Sequence, residues 1–535
     1  MRIDTVYIED FKNLKQFEID FDEKELNTIL LGQNAVGKSN FIEALILIFR
    51  ELDFEKATDF DYKIKYECRG KNIEIECIKK KYQFKIDSES ITKTAFDRNK
   101  NEYLPKNIFT YYSGLSDRMD KLFWKHQNNF YKKIIKPNFD SSKIDELRRL
   151  FYVKQIHSFF VLLAFYSLNE TEQETKSFLQ KYFGIEDIDS ILFVIKRPSW
   201  YIEAKHNESK FFGANGLVNE FLTALWDYSL APIYHTETVY PDFRSKGITE
   251  HQLYLYLSNK DKLKEFANKY FVKSNEQPSN SFLFKAMEST YISELLSEVK
   301  VKVKKRIDGK ITFKELSEGE QQLLTVIGLL IFNREEESLI LLDEPETHLN
   351  PLWKWEYLDI IKKVFEKNSN SEEDKKETTQ ILINTHDPLV IGGLKKEHIR
   401  IFKNDNLNKT ITEEPEKDPK GMGVAGILTS ELFGLPTILD KDTQDLLDER
   451  NELLYKQSIS ELSSEEKDRL KNLFEFLNNL GFSHIINDPL YTKFIIAYQK
   501  LNSEKNITTQ SVARKTWDSS NEAYNLLKNL ISKNK

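Results

Sequence analysis

Cysteine is nearly absent: Cys68 and Cys77 are the only two in 535 residues. They are too few for a disulfide framework and wrongly spaced for a zinc site. Glycine and proline are scarce too, at 18 and 13 residues, which excludes a collagen-like chain or a wholly disordered one. The longest apolar runs, Phe159–Phe165 and Leu323–Phe332, stop far short of the roughly 20 residues that span a bilayer. The opening Met1-Arg2-Ile3-Asp4-Thr5 lacks the charged-then-apolar layout of a signal peptide. Positive charge is not in excess either. A formal net charge of −7 argues against a chain coated in nucleic acid, while leaving room for a local basic patch. The expectation is a soluble cytoplasmic protein with no membrane association.

What remains is globular in composition, 40% hydrophobic and 30% charged, and long enough for two to four domains at roughly 100–200 residues each. The first segment reads as short strands, with Phe17, Ile19 and Phe21, then Ile73, Ile75 and Cys77, then Tyr82, Phe84 and Ile86 alternating with polar residues. Between them Thr28-Ile29-Leu30-Leu31 is a continuous run suited to a strand buried on both faces. From about Lys121 to Asn275 the spacing reads as helical. A strand pattern returns at Val299–Lys304, followed by an apolar helix (Gln321–Asn333), a buried strand (Leu339–Leu342), a charged helix (Trp353–Lys367), a polar loop (Asn368–Thr379) and a third buried strand (Gln380–Asn384). A helical region opens near Met422, with Leu446, Leu447, Leu453 and Leu454 one heptad apart and Ser463 and Glu466 at capping-box spacing. The expected domains are 1–120, a helical insertion over 121–275, a returning half over 276–405, and a mainly helical region over 406–535.

Four short segments carry chemistry. Gly32-Gln33-Asn34-Ala35-Val36-Gly37-Lys38-Ser39 fits G-x-x-x-x-G-K-S between a buried strand and the helical Phe41–Phe49. Glycines there let backbone N–H groups wrap phosphate oxygens, and the helix N-terminus, from Ser39 and Asn40 onward, adds partial positive charge. Lys38 is placed to reach the β- and γ-phosphates of ATP, and the Ser39 hydroxyl to ligate Mg²⁺. Next, Leu339–Leu342 delivers Asp343 and Glu344 at a strand end. Asp343 is suited to hold the metal, and Glu344 to orient or deprotonate water.

The third segment is Leu316-Ser317-Glu318-Gly319-Glu320-Gln321-Gln322. Two readings fit it: Ser317, Gly319 and Glu320 as a γ-phosphate site at a helix N-terminus, or Ser317 and Glu320 as a plain capping box. The fourth, Ile381–Pro388, ends a strand at His386, where an imidazole can donate to the γ-phosphate.

In that order the four segments resemble the ABC-type ATPases of the SMC, Rad50, RecF and overcoming-lysogenisation-defect group: Walker A, signature, Walker B and D-loop, switch histidine. Ile8–Leu14 is similar to that group's opening φ-x-x-F-[KR]-N turn, which makes Lys12 a candidate near nucleotide, and Asp343–Pro351 resembles the DEPExHLxP variant. The resemblance implies an α/β fold: an ABC-type head of mixed sheet and helices with a small antiparallel β lobe. It implies two heads sandwiching two ATPs, so that Ser317 acts in trans across a homodimer or larger oligomer. Asn350 stands where many relatives have an aspartate. No Q-loop glutamine is evident, since Gln83 lies too early and Asn107–Tyr112 runs into Ser113-Gly114. Arg118 nearby fits a phosphate contact or a surface salt bridge equally.

Leu150–Val153, Phe212–Leu217, Gly421–Leu428, Glu431–Leu435 and Asp488–Tyr491 look like segments of restriction-associated and Septu- or retron-associated antiphage defence ATPases. That narrower resemblance implies a sensor or regulatory subunit whose companion is a separate nuclease, often of the HNH type. A RecF-like repair factor and an ATPase with a divergent C-terminal nuclease are the alternatives. Asp440-Lys441-Asp442 has the D-x-D spacing of a nuclease metal site, but it also precedes a helix that Asp440 can cap. Direct DNA contact would fall to Lys300, Lys302, Lys304, Lys305 and Arg306, to Lys79–Lys81, or to Lys132 and Lys133, although a solvated strand face is the usual explanation for the alternation in the first group.

Overall fold

The computed structural model describes residues 1–114, 116–134, 136, 148–167, 172–203, 209–240, 242–244, 246–274, 280–307, 310–314, 316–333, 337–366, 378–405 and 408–480. The expected Asp488–Tyr491 segment and nearly all of the expected 368–379 loop lie outside them. The chain separates into two compact units, one of residues 1–390 and 397–414, the other of 391–396 and 415–535.

In the first unit, β1 (Arg2–Phe11) and β2 (Leu14–Asp20) form an antiparallel hairpin, and β3 (Asn27–Gly32) leads into the helix Lys38–Asp53. Then come β4 (Tyr62–Cys68), β5 (Lys71–Ile78), β6 (Lys81–Ile86) and β7 (Glu89–Ile91), and after them β8 (Ile108–Tyr112) and β9 (Leu150–Val153). The middle of the chain supplies β10 (Ile185–Lys196), β11 (Ile233–Val239), β12 (Ile248–Leu257), β13 (Leu296–Ile307) and β14 (Lys310–Lys314). The last strands are β15 (Leu339–Asp343), β16 (Gln380–Asn384), β17 (Ile399–Asn404) and β18 (Thr410–Glu413).

Three sheets result: β2-β1-β4-β5-β6-β7, β11-β12-β10-β13-β14, and the seven-stranded β18-β17-β3-β16-β15-β8-β9. The last is mixed, parallel from β17 through β9 with β18 antiparallel at its edge. Its inner strands are aliphatic runs buried along their whole length, Leu339–Asp343 and Gln380–Asn384 among them, as a sheet covered on both faces requires. Phe41, Leu45, Ile48, Phe49 and Leu52 of the Lys38–Asp53 helix fall at helical spacing. They share one core with Ile3, Ile8, Phe17, Ile64, Tyr66, Ile75 and Phe84 of the six-stranded sheet. Both cysteines are buried there as packing groups, and burial pushes the Cys68 thiol up to about 11.

The α/β head with an antiparallel lobe is as expected, but the domain bounds need correction. Residues 121–275 are not a helical insertion. The helices Arg118–Ile134, His157–Ser167, Gly216–Tyr228 and Lys260–Ser274 are present, yet β9, β10, β11 and β12 lie among them. Leu150-Phe151-Tyr152-Val153 is the edge strand of the head sheet, paired with β8. β10 joins β13, so the middle segment and the returning half build one sheet. Short apolar runs rich in Phe and Tyr do not reveal their period, and only pairing across the chain settles them. The head also runs past residue 405, because β18 pairs with β17.

In the second unit the helices Lys441–Ile459 and Ser464–Asn479 pack through Leu453, Leu462, Leu470 and Leu473, flanked by Leu446 and Leu454. Ser463 and Glu466 form the expected capping box. Asp440 caps its helix by accepting from the Thr443 N–H at 2.9 Å. No helix among the described residues is long and apolar enough to cross a membrane.

Candidate nucleotide site

Parallel pairing brings the ends of β3, β16, β15 and β8 to one edge of the sheet, where open α/β sheets bind ligands. The registers are decisive. Asn384 stands beside Leu30 on one side and Asp343 on the other, and Asp343 stands beside Tyr112. The loop 32–39 therefore meets Asp343 and Asn384, with His386 two residues beyond Asn384, although the sequence scatters them.

Backbone geometry shapes that loop. Gly32 and Gly37 have φ of +148° and +106°, and Ala35 has φ of +67°. A Cβ on Gly32 would stand 2.3 Å from Phe402 O, so the neighbouring strand leaves no room for one. Gly32→Ala should cost ~2–4 kcal/mol through strain and overpacking. It should show as a lowered melting temperature together with weakened ATP binding. Asn13 braces the loop from outside: its Nδ2 donates to Ala35 O at 3.1 Å, and its Oδ1 accepts from Asn40 Nδ2 at 2.7 Å. Lys12, the expected nucleotide neighbour, instead pairs with Glu43 on the following helix at 2.5 Å. In the φ-x-x-F-K-N turn it is the asparagine that touches the loop.

Lys38 is only 6% exposed. Its Nζ donates to Gly32 O at 2.6 Å and to Gln33 O at 3.0 Å. Burial lowers its pKa, and the charges of Asp343 and Glu344 oppose that shift. Asp343, 1% exposed, accepts from Asn384 Nδ2 through Oδ1, while Oδ2 is buried with no hydrogen-bond partner among the described residues. Burial raises its pKa, and the Ser39 hydroxyl and Asn384 amide nearby oppose the rise. Asn384 Nδ2 also lies 3.4 Å from Ser39 Oγ. A hydroxyl and a carboxylate with one oxygen unclaimed suit a small hard cation that takes its other ligands from phosphate and water. No cluster of three or more His, Cys, Asp or Glu that could hold a metal occurs among the described residues.

Glu344 takes a left-handed backbone, φ +54°, a conformation costing ~1–2 kcal/mol for a residue with a Cβ. Its N–H donates to Asn384 O at 2.8 Å. Its Oε1 lies 2.9 Å from His386 Nδ1. The two residues expected to act on water and γ-phosphate are thus in contact, and both remain reachable from solvent. Arg118 Nη1 is 3.5 Å from Asn40 Oδ1 with the guanidinium over the Tyr112 ring, and its charge acts on Asp343. At the end of β8, where the resemblance implies a Q-loop glutamine, stands Ser113. Its N–H donates to Asp343 O at 3.2 Å and its Oγ lies 3.2 Å from Thr347 Oγ1, whose own proton goes to Glu344 O at 2.8 Å. Gln83 lies on β6 opposite Glu76, in the antiparallel sheet.

The signature segment opens the helix Glu318–Asn333. Ser317 is exposed, and its N–H donates to Glu320 Oε2 at 2.8 Å while its hydroxyl contacts the same carboxylate at 3.0 Å. In the single chain the capping pair is therefore formed, and Lys305 binds Glu320 from β13. Gln322, only 4% exposed, grips the loop after β15: its Nε2 donates to Pro345 O, and its Oε1 accepts from the His348 N–H at 3.3 Å. A Cβ on Gly319 would meet His348 O at 2.7 Å, so glycine permits this close approach. Neither role of Gln322 and Gly319 was legible before the fold.

A family model described as "AAA domain, putative AbiEii toxin, Type IV TA system" matches residues 224–392. This stretch of the chain is similar to an AAA domain. The match spans the signature segment, Asp343, Glu344 and His386; the loop 32–39 lies outside it. Among curated proteins, the Septu protein PtuA of Bacillus mycoides is 27% identical over 225 residues, 39% of this chain and 29% of that protein. The Retron Vc95 probable ATPase of Vibrio cholerae is 20% identical over 440 residues, 75% of this chain and 73% of that protein. The Retron Ec83 probable ATPase of Escherichia coli is 22% identical over 500 residues, 86% and 81%. The chain therefore spans less than a third of the Septu relative's length and about three quarters or more of the two retron relatives. An SMC head bound to the C-winged helix domain of ScpA overlaps loosely, with a TM-score of 0.31 and 12% identity over 78% of this chain and 98% of that one. The matched stretch contains the acidic pair and the histidine, and the sheet brings Ser39 of the N-terminal loop beside Asn384 within it.

Proposed function

We propose that the protein hydrolyses ATP to ADP and phosphate between two engaged heads, and that it serves as the sensor and regulatory subunit of an antiphage defence complex with a separate nuclease effector. One observation carries the catalytic part: Ser39, Asp343 and Asn384 converge beside the Lys38 loop, with the Glu344–His386 pair at the same sheet edge. In this reading backbone N–H groups of residues 33–39 cradle the phosphates and Lys38 neutralises the β- and γ-oxygens. Ser39 and Asp343 would hold Mg²⁺, which when bound offsets charge on the phosphates. Glu344 accepts the proton of the attacking water and His386 steadies the γ-phosphate. The defence role is supported by the names of the Septu and retron relatives.

The exposed Ser317 supports the two-headed arrangement, since a signature serine that reaches another chain's phosphate must be accessible. Lys38→Ala and Ser317→Arg each disable both composite sites of a homodimer, in different halves. Mixing the two inactive variants should restore turnover to about a quarter of wild type, because half the pairs are mixed and each holds one complete site. Steady-state phosphate release reads this out, and no recovery after subunit exchange rejects the shared site. The effector part predicts a nuclease subunit, of HNH type, recovered stoichiometrically with the tagged chain from its native host. Recovery without any nuclease rejects it.

A further inference from the structure

Glu346 has no part in the reaction above, yet it is 2% exposed and close to the reacting groups. Its Oε1 accepts from the Thr385 hydroxyl, and its Oε2 is buried with no hydrogen-bond partner among the described residues. Thr385 is fully buried. Its N–H donates to Leu30 O on β3 at 3.2 Å, and its hydroxyl oxygen accepts from the Asp387 N–H at 3.0 Å. Asp387 in turn pairs with Lys354 at 2.8 Å and accepts from the Leu389 N–H at 2.9 Å. His386 is thus held between two anchored residues and meets Glu344 from there.

We propose that Glu346 is a positioning residue: its carboxyl oxygen fixes the Thr385 hydroxyl, and through it the turn that presents His386 to Glu344. The chain of contacts runs from the loop after β15 to the turn after β16, which nothing covalent joins nearby. Burial pushes the Glu346 carboxyl up to about 7; the Thr385 bond opposes the rise, and Asp387 and Glu344 add to it. Tyr111 and Tyr357 also feel its charge. Thr385 can donate to Oε1 whether or not Oε2 holds a proton, so an amide in the same place supplies the same acceptor.

The kinetic arm of the test rests on the hydrolytic reading above; the exchange arm does not. Glu346→Ala and Thr385→Val should each lower kcat for ATP about tenfold with KM little changed, because a misplaced group near the reacting atoms slows the chemical step more than binding. The double variant should lose no more than either single one, and Glu346→Gln should behave as wild type. In the nucleotide-free full-length chain, hydrogen exchange at the Thr385–Asp387 amides should quicken in Glu346→Ala and Thr385→Val but not in Glu346→Gln. Unchanged exchange in the alanine variant, multiplicative losses in the double variant, or a glutamine variant as damaged as alanine each overturns the assignment. If the alanine variant does not fold, the nearly isosteric Thr385→Val decides: wild-type exchange there overturns it equally. Absent turnover in the wild type sinks the hydrolytic reading alone, and the exchange comparison still judges the clamp.

Discussion

A Glu344→Gln variant should bind ATP and barely turn it over, with a loss of roughly two to three orders of magnitude in kcat, the range a positioned general base supplies. The substitution is informative because it removes so little else. Glutamine keeps the length of the side chain and leaves an amide group 2.9 Å from His386 Nδ1. The N–H of residue 344 would still donate to Asn384 O, since that contact is made by the backbone. Cradle, lysine and cation donors are untouched, so affinity should hold while the proton of water has no acceptor. The consequence of stalled hydrolysis should be visible in size as well. If ATP joins two heads, the variant should accumulate as an ATP-dependent dimer by light scattering. Turnover within about threefold of wild type would remove Glu344 from the mechanism.

Lys38→Ala should act at the preceding stage. Charge-assisted hydrogen bonds to phosphate are worth ~1.5–3 kcal/mol each, and an ammonium that bridges β- and γ-oxygens makes about two. The expected weakening of ATP is therefore ~100-fold or more in Kd, measurable by titration with a fluorescent ATP analogue. The fold should tolerate the change. Among the described residues Lys38 hydrogen-bonds to carbonyls of its own loop alone, Gly32 O and Gln33 O, so no hydrogen bond to a distant element is lost, although Asp343 and Glu344 lose a nearby positive charge. A far-ultraviolet circular dichroism spectrum matching wild type, alongside lost binding, is the expected pair of results. Wild-type affinity in this variant would mean that the loop cradles something other than a polyphosphate.

Much of this site could be read along the chain because its chemistry is local. Glycines, lysine and serine lie within eight consecutive positions, and an aliphatic run followed by two acids announces a buried strand ending in carboxylates. Residues whose meaning is made by pairing escaped that reading. Asn384 matters because register sets it against Asp343, and Asn13 because a hairpin turn carries its amide to Ala35 O. Gln322 and Glu346 are valuable through contacts with loops elsewhere in the sequence. A motif lists side chains, but an amide or a second acid earns its role only from its tertiary neighbours.

The same limit explains the middle of the chain. β10, Ile185–Lys196, mixes three acids with an apolar tail, and β11, Ile233–Val239, is exposed at every residue. Neither presents the one-sided alternation that marks a strand with a buried face. Pairing with β12 and β13 supplies the order that their own sequences do not advertise.

The Lys38 ammonium holds two carbonyl oxygens of its own loop. Phosphate oxygens bound there as proposed would compete with those neutral carbonyls for the ammonium. Under that proposal the affinity is moderated by the bonds the ammonium surrenders, and release is eased by the same bonds re-forming.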